Sequence, residues 1–446
     1  MMNAFIDKLL AAAKAAGIDT AEVYYAENES FRASAMDGEI NQYQVSKSTG
    51  LGLRGTANGR MGYASTQAFD DDAIAQLIEG VKDSAALTET DEQDEIFAGE
   101  TSYPELPETE SDLADISAED KLAVCLNMEK AAKAADARIR KVQGSRMATV
   151  SGLIHLKNSF GLDLVSRDSV GYAMLSAIAT EGDDTATGGQ IAVARNFREI
   201  DAEKVGREAA EDALSQLNAA PVASGKYRVI IRYDAMSSLL QTFCGMFSAE
   251  NAQKKLSLLA GREGTKIASD KVTVMDDPLL PGGYASCAFD GEGSAARTKA
   301  VVDRGMLKTL LHSRKTAKKQ GVTTTGNASR AGYSSPVHVA PTNLFIQPGE
   351  KTPDQLMEEA GNGILITEVS GLHAGANAVS GDFSLLAKGF VIENGKKGRP
   401  VKQITVAGNF YQLLENVREV GNDLKFEGSS IASPSLDAGE LTVSGK

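Results

Sequence analysis

Two Asx-Gly pairs set the first limits on what this chain can fold into. Asp37-Gly38 separates a run that mixes Val23, Tyr24, Tyr25 and Phe31 with polar residues from a second run carrying Ile40, Tyr43 and Val45. Asn58-Gly59 likewise separates Gly50 to Arg54 from Arg60 to Ser65. Such pairs accept the positive φ values of two-residue hairpin turns, so each predicts antiparallel strands on its two sides. The hairpins lie between two helical patterns. Phe5, Ile6, Leu9 and Leu10 recur at helical spacing before a stop at Gly17, and Asp70 to Asp72 cap a helix whose apolar face carries Ile74, Leu77, Ile78 and Val81.

The same order recurs downstream. Ser117 caps a predicted helix to about Ala135, strands follow over Val142 to Leu156, Gly161 to Ser166 and Ser169 to Ala179, and Asp201 to Leu217 closes as a helix. The two halves share little sequence. Their common order points to one continuous α+β lobe, with an internal duplication as the alternative. Between them, Asp91 to Asp120 holds twelve acidic residues, no Lys or Arg, and Pro104 and Pro107. Like charges resist compaction and proline interrupts pairing, so residues 91–120 read as a mobile, solvent-facing connection, an acidic docking element being the alternative.

Ala219 to Gly225, with Pro221 at its centre, follows a helix and precedes the apolar run Tyr227 to Tyr233. A boundary there divides the 446 residues into an N-terminal domain, 1–220, and a C-terminal domain, 221–446. The second begins with that strand and a helix from Ala235 to about Leu259. It continues with glycine turns and short strands, a helix introduced by Thr352 and Asp354, and another from Asn409 to Val420. The expected class is α+β: antiparallel strands flanked by helices, then a glycine-rich, mainly antiparallel β domain.

Charge excludes some partners. Lys plus Arg number 46 against 60 Asp plus Glu, a formal charge of -14, which argues against nonspecific binding to nucleic acid or an anionic membrane. Basic residues do concentrate from Arg297 to Lys319, where Asp303 is the one acid; a solvated face is the plain reading, and a partner surface or an acidic polymer the alternatives. Cys125, Cys244 and Cys287 lie far apart without a CxxC pair, which suits a reducing cytosol. With no basic leader and no stretch near the roughly 20 apolar residues that span a bilayer, a cytoplasmic location is expected.

Chemistry-bearing residues are sparse. No two of His155, His312, His338 and His373 stand at the spacing of a helical zinc-protease motif. His373, in a glycine-rich loop with Glu368 and Asp382 nearby, is a weak candidate for a ligand or an acid/base, against the plainer reading of a loop histidine. Cys125 falls on an apolar helix face, and neither Cys244 nor Cys287 has a histidine nearby in sequence, so structural roles fit all three. Gly50, Gly52 and Gly55 precede no crossover helix and read as close-packing positions in antiparallel strands.

From Arg262 to Arg330 and again from Gly371 to Phe410, the sequence resembles the TldD/PmbA family, in its PmbA or TldE branch. The likeness rests on Gly264 to Ser269, Asp276-Asp277-Pro278 leading to Leu280-Pro281-Gly282, and Phe289-Asp290-Gly291-Glu292-Gly293. It continues through the Gly305 turn, Thr325-Gly326-Asn327, Ile392 to Lys396 with Arg399-Pro400-Val401, and the ending from Pro434-Ser435 through Leu441 to Gly445. The order of these short matches carries the likeness, which covers almost the whole chain.

The resemblance implies that the TldD branch carries an HExxxH zinc motif on a helix early in the second domain, with a cysteine near the C-terminus as a further ligand. By local matching the motif falls on Gln241 to Met246. Gln241 and Met246 replace the histidines, Thr242 replaces the glutamate, and no cysteine follows Glu427. This degenerate set rebuilds neither a strong zinc site nor a proton-shuttling carboxylate. The family likeness therefore implies a chain with no cofactor of its own, paired with a TldD-like subunit that carries zinc, in a cytoplasmic bacterial assembly acting on unfolded peptides. A homodimer in isolation is the lesser form of that expectation, and the helix carrying Phe243 and Phe247 is one candidate surface for it. Two rival classes remain: an independent hydrolase using other residues, and a noncatalytic regulator of a toxin, antitoxin or DNA gyrase.

Overall fold

The computed structural model describes residues 2–88, 95–106 and 111–445. Helix α1 (Met2–Ala15) leads into three strands, β1 (Thr20–Met36), β2 (Glu39–Ala57) and β3 (Arg60–Thr66), and helix α2 (Asp71–Leu87) follows. Both Asx-Gly pairs turn as expected: Asp37 and Gly38 have φ of 54° and 82°, and Asn58 and Gly59 have 52° and 72°. In this part of the chain the structure departs from the sequence reading in one respect. The runs on either side of Thr49 form one unbroken strand, β2, so the two hairpins share it. Asp70 caps α2, its carboxylate accepting from the Ala73 N–H at 2.8 Å.

The second half repeats the order with α3 (Ala118–Ala135), β4 (Ile139–Asn158), β5 (Asp163–Glu181), β6 (Asp184–Ala194) and α4 (Ala202–Ser215). The two predicted strands at 161–166 and 169–179 are a single strand, β5, and β6 went unpredicted. Its small residues, Thr185 to Gly189, hid it. They are small because α4 packs there: a Cβ on Gly188 would sit 2.0 Å from the Ala213 nitrogen. All six strands form one antiparallel sheet in the order β3-β2-β1-β4-β5-β6, so the two halves meet through β1 and β4. Residues of α1 and α2 pack on one half of this sheet and those of α3 and α4 on the other, giving two apolar cores.

Past residue 224 the chain forms a closed barrel. Its strands are β7 (Gly225–Ile231), β8 (Gly363–Ser370), β9 (Asp382–Glu393), β10 (Lys396–Asn409) and β11 (Leu436–Ser444). Only the β7–β8 pair is parallel, and pairing of Val406 with Val443 joins β10 to β11 and closes the ring. Alternation along β7 sends Val229 and Ile231 into a core shared with α5 (Tyr233–Phe243), and Ile230 to the opposite side against α8 (Pro353–Ala360). A second, smaller sheet centres on Val274–Asp276. There buried Asp276 accepts from Lys299 at 2.9 Å, Asn327 at 2.7 Å and the Thr342 N–H at 2.7 Å. The stretches 276–278 and 325–327 noted in the sequence thus hold this sheet together.

The helix expected over 235–259 is interrupted. It ends at Phe243, a 3₁₀ turn covers Cys244–Phe247, and a new helix, α6 (Ala249–Gln253), starts from a Ser248 cap. Phe243 stacks on Phe410 with ring centroids 4.6 Å apart, and Phe247 is fully buried. These aromatics fill their own core, which removes them as a contact surface.

The acidic connection also differs from expectation. Of residues 91–120, those at 91–94 and 107–110 lie outside the described residues, but 95–106 are docked. Glu95 pairs with Arg314 and Lys318, both at 3.0 Å, and Glu100 with Arg297 at 3.0 Å. Arg314 also lies over the Phe97 ring at 3.8 Å, and the Tyr103 hydroxyl donates to the Gly293 carbonyl at 2.8 Å. The acidic and basic concentrations are therefore partners of each other, a long-range pairing that neither segment reveals alone. The sheet and the C-terminal region are further joined by a buried ion network. Glu22 and Arg54, directly opposed on β1 and β2, pair at 2.8 Å, and Arg330 from the C-terminal region reaches the same carboxylate.

Candidate functional site

The site begins with the amphipathic face of α5. Ala235, Met236, Leu239, Leu240 and Phe243 are buried, which leaves Ser237, Ser238, Gln241, Thr242 and then Gly245 along the outer face at helical spacing. The hydroxyls of Ser237, Ser238 and Thr242 donate to the carbonyls of Tyr233, Asp234 and Ser238, one turn back, at 2.6, 3.0 and 2.8 Å.

The segment after Glu427 lies against this helix. The Ser433 N–H donates to Ser237 Oγ at 2.9 Å, and the Tyr233 N–H donates to Ser435 Oγ at 3.1 Å. Ser435 Oγ in turn donates to Asp423 at 2.7 Å. The Tyr233 hydroxyl donates to Glu427 at 3.0 Å, with Lys425 4.6 Å from the Tyr233 ring centre. Burial raises the pKa of the Glu427 carboxyl and of the Tyr233 phenol; Tyr233's hydrogen bond and Lys425's charge pull the carboxyl the other way, and the phenol is raised further by the Glu427 charge. A cleft of about 160 Å³ beside the helix is lined by Arg232, Asp234, Ser238, Glu368 and Lys388, among others. Its charges are largely paired internally: Arg232 with Asp234 at 2.5 Å and Lys388 with Glu368 at 2.7 Å.

The motif positions do not converge. Gln241 is exposed, Thr242 is half-buried with its hydroxyl committed to a carbonyl, and Met246, at 2% exposure, sits in the core. Zinc needs three or four N, S or O donors pointing at one point, and this set offers an amide, a committed hydroxyl and a buried thioether facing elsewhere. The residues do not fit the metal. Among the described residues, no group of three or more His, Cys, Asp and Glu side chains is placed to hold a metal ion. His373 is exposed on the short helix Leu372–Gly375. The other histidines lie apart, His155 bonded to Asp163 at 2.7 Å and His312 buried against Thr316 at 3.2 Å, its pKa lowered by burial.

Nor is there an activated nucleophile on this face. Burial pushes the Cys125 and Cys244 thiols up to about 11 and Cys287 to about 12, the opposite of a reactive thiolate. Each serine hydroxyl along α5 donates to a backbone carbonyl rather than to a base. What sequence reasoning missed is the neighbourhood. Tyr233, Glu427 and Asp423 carry no motif, and only the fold brings residues nearly 200 positions apart together.

Among the described residues no helix is long and apolar enough to cross a membrane. Family models described as PmbA/TldA metallopeptidase domain 1, central domain and C-terminal domain match residues 21–85, 111–217 and 224–445. The chain is similar to Metalloprotease PmbA of Escherichia coli O157:H7, at 28% identity over 96% of this chain and 93% of that protein. A crystal structure from Thermotoga maritima, carrying the label of a modulator of a DNA gyrase, superposes with a TM-score of 0.93 at 32% identity, covering 100% of both chains. TldE from Thermococcus kodakarensis shares the fold at a TM-score of 0.90 and 23% identity, over 99% of this chain and 100% of that one. The matches agree with one another along the whole length: the chain belongs to the TldD/PmbA family.

Proposed function

We propose that this protein is a metal-free, TldE-like subunit that pairs with a zinc-bearing TldD-like relative, in a cytoplasmic assembly that processes or degrades unfolded peptides. One observation carries the reading: the helix face that the family likeness marks as the metal site presents Gln241 and a bonded Thr242, while Met246 faces the core. Around it the polar groups are tied to one another and to the segment 423–435, so the face is braced rather than reactive. Amide hydrolysis needs an activated water and stabilisation of the developing oxyanion, which a zinc-bearing partner supplies.

An independent hydrolase finds no support in the bonded serines and the raised thiols. A regulatory role on DNA gyrase rests on the label of the Thermotoga maritima relative, and the net charge of -14 gives it no help through nucleic acid. The test is association. Light scattering of this chain mixed with a TldD-like relative should give a 1:1 complex. A monomer over a broad concentration range, with no complex on mixing, refutes the assembly.

A further inference from the structure

A second cavity, of about 390 Å³, lies away from α5, between the β2–β3 hairpin and the helices α6 and α7 (Arg314–Gln320). Two buried charges form part of its wall: Arg54, 2% exposed, and Glu292, 3% exposed. Each retains one polar atom that makes no hydrogen bond among the described residues. Arg54 uses Nε and Nη2 on Glu22, at 2.8 and 3.3 Å, and among the described residues its Nη1 has no hydrogen-bond acceptor and only an ion pair with Glu292. Glu292 accepts the Arg314 N–H on Oε2 at 2.9 Å, and among the described residues its Oε1 has no hydrogen-bond donor; Nη1 and Oε1 face each other as an ion pair 3.9 Å apart. That separation is too long for a hydrogen bond and suits a ligand that bridges the two.

An anion alone would meet Glu292, and a cation alone would meet Arg54, so the complementary ligand presents a donor and an acceptor side by side. The N-terminal residue of a peptide does so, its ammonium and its own carbonyl oxygen lying about 3 Å apart. The remaining lining fits the rest of such a ligand. Met61 and Val337 supply apolar wall, and Arg60 adds positive charge to the lining, where Lys254 is paired with Glu250 at 2.6 Å. The volume falls in the lower part of the range for small-ligand pockets, which suits a peptide of roughly two or three residues.

We propose that this cavity binds short peptides through a free N-terminus, the ammonium on Glu292 Oε1 and the first carbonyl oxygen on Arg54 Nη1. Both contacts are charge-assisted hydrogen bonds in a buried setting, which are stronger than neutral ones. The proposal does not rest on the subunit reading, because it concerns this chain alone and a different part of the fold.

Calorimetric titration of the full chain tests it with three probes: alanyl-alanine, N-acetyl-alanyl-alanine and inorganic phosphate. Alanyl-alanine should bind at one site per chain, acetylation should weaken it about tenfold or more, and phosphate should not compete. Val337→Trp fills the wall without touching either charge and should abolish binding. The acetylation contrast uses the unaltered chain, so the test stands even if that variant folds poorly. Equal affinity for the acetylated peptide, displacement by phosphate, or no heat of binding at millimolar peptide each overturns the proposal.

Discussion

Gln241 and Met246 leave the chain in opposite directions, the first into solvent and the second into the core of the C-terminal region. Met246 lies past the end of α5, in the 3₁₀ turn Cys244–Phe247, and does not continue the outer face that carries Gln241. Met246→His should therefore destabilise by about 2–4 kcal/mol, by lost packing and a buried imidazole, while Gln241→His should stay within about 0.5 kcal/mol. Urea unfolding measures both. The double variant should retain no stoichiometric zinc after mild chelation; one tightly held zinc per chain would count against this geometry.

Gly52 fits where no side chain can. A Cβ there would lie 1.9 Å from the Tyr333 carbonyl oxygen, a backbone atom that cannot swing aside. Gly52→Ala should thus cost more than about 2 kcal/mol by prising the C-terminal region from β2, whereas Gly332→Ala, with nothing within 4 Å, should stay within about 0.5 kcal/mol. Similar losses for both would show that the close approach is not what Gly52 provides.

The strap of residues 95–106 is held by ion pairs that are partly exposed, and salt should loosen it. Limited proteolysis should cut within it faster at about 1 M NaCl than at about 0.05 M. Arg314→Ala removes a Glu95 pair and the Phe97 stack together, and it should raise the low-salt rate towards the high-salt one. A rate indifferent to both changes would mean that the strap is held by other contacts.

Asp290 gives a pH signature. Burial, and then the charge of Glu292, raise its carboxyl pKa above the ordinary 3.8, although three backbone N–H groups pull the other way. A raised folded pKa means that the native state holds the proton more tightly than the unfolded chain. The stability this group contributes is therefore complete below about pH 3.8 and lost as pH rises through the folded value. Asp290→Asn removes that titration. The stability of the natural protein minus that of the variant should fall as pH rises from about 4 to 7, read from urea midpoints. A difference that stays constant or grows would contradict the assignment.

Local chemistry made much of this fold readable. Asp37-Gly38 and Asn58-Gly59 specify their own turns, and Asp70, Ser117, Asp201 and Thr352 each cap a helix that begins at the next residue. What escaped was non-local. β6 is built from small residues whose reason is the approach of α4, and the helix break at Cys244 depends on contacts such as Asn251 Nδ2 to the Gly245 carbonyl at 2.9 Å. The site followed the same rule. Gln241 and Thr242 were marked by resemblance, but the brace from Tyr233 to Glu427 and Ser435 exists only once the ends of the C-terminal region are brought together.

Division of labour between two subunits is the central claim, and a peptide-degradation assay with mass spectrometry of the products tests it most directly. This chain alone should leave unfolded peptides intact, a TldD-like partner should turn them over faster when this chain is added, and changing the partner's motif glutamate to glutamine should abolish turnover with this chain unaltered. Cleavage by this chain alone after removal of metal would contradict the account.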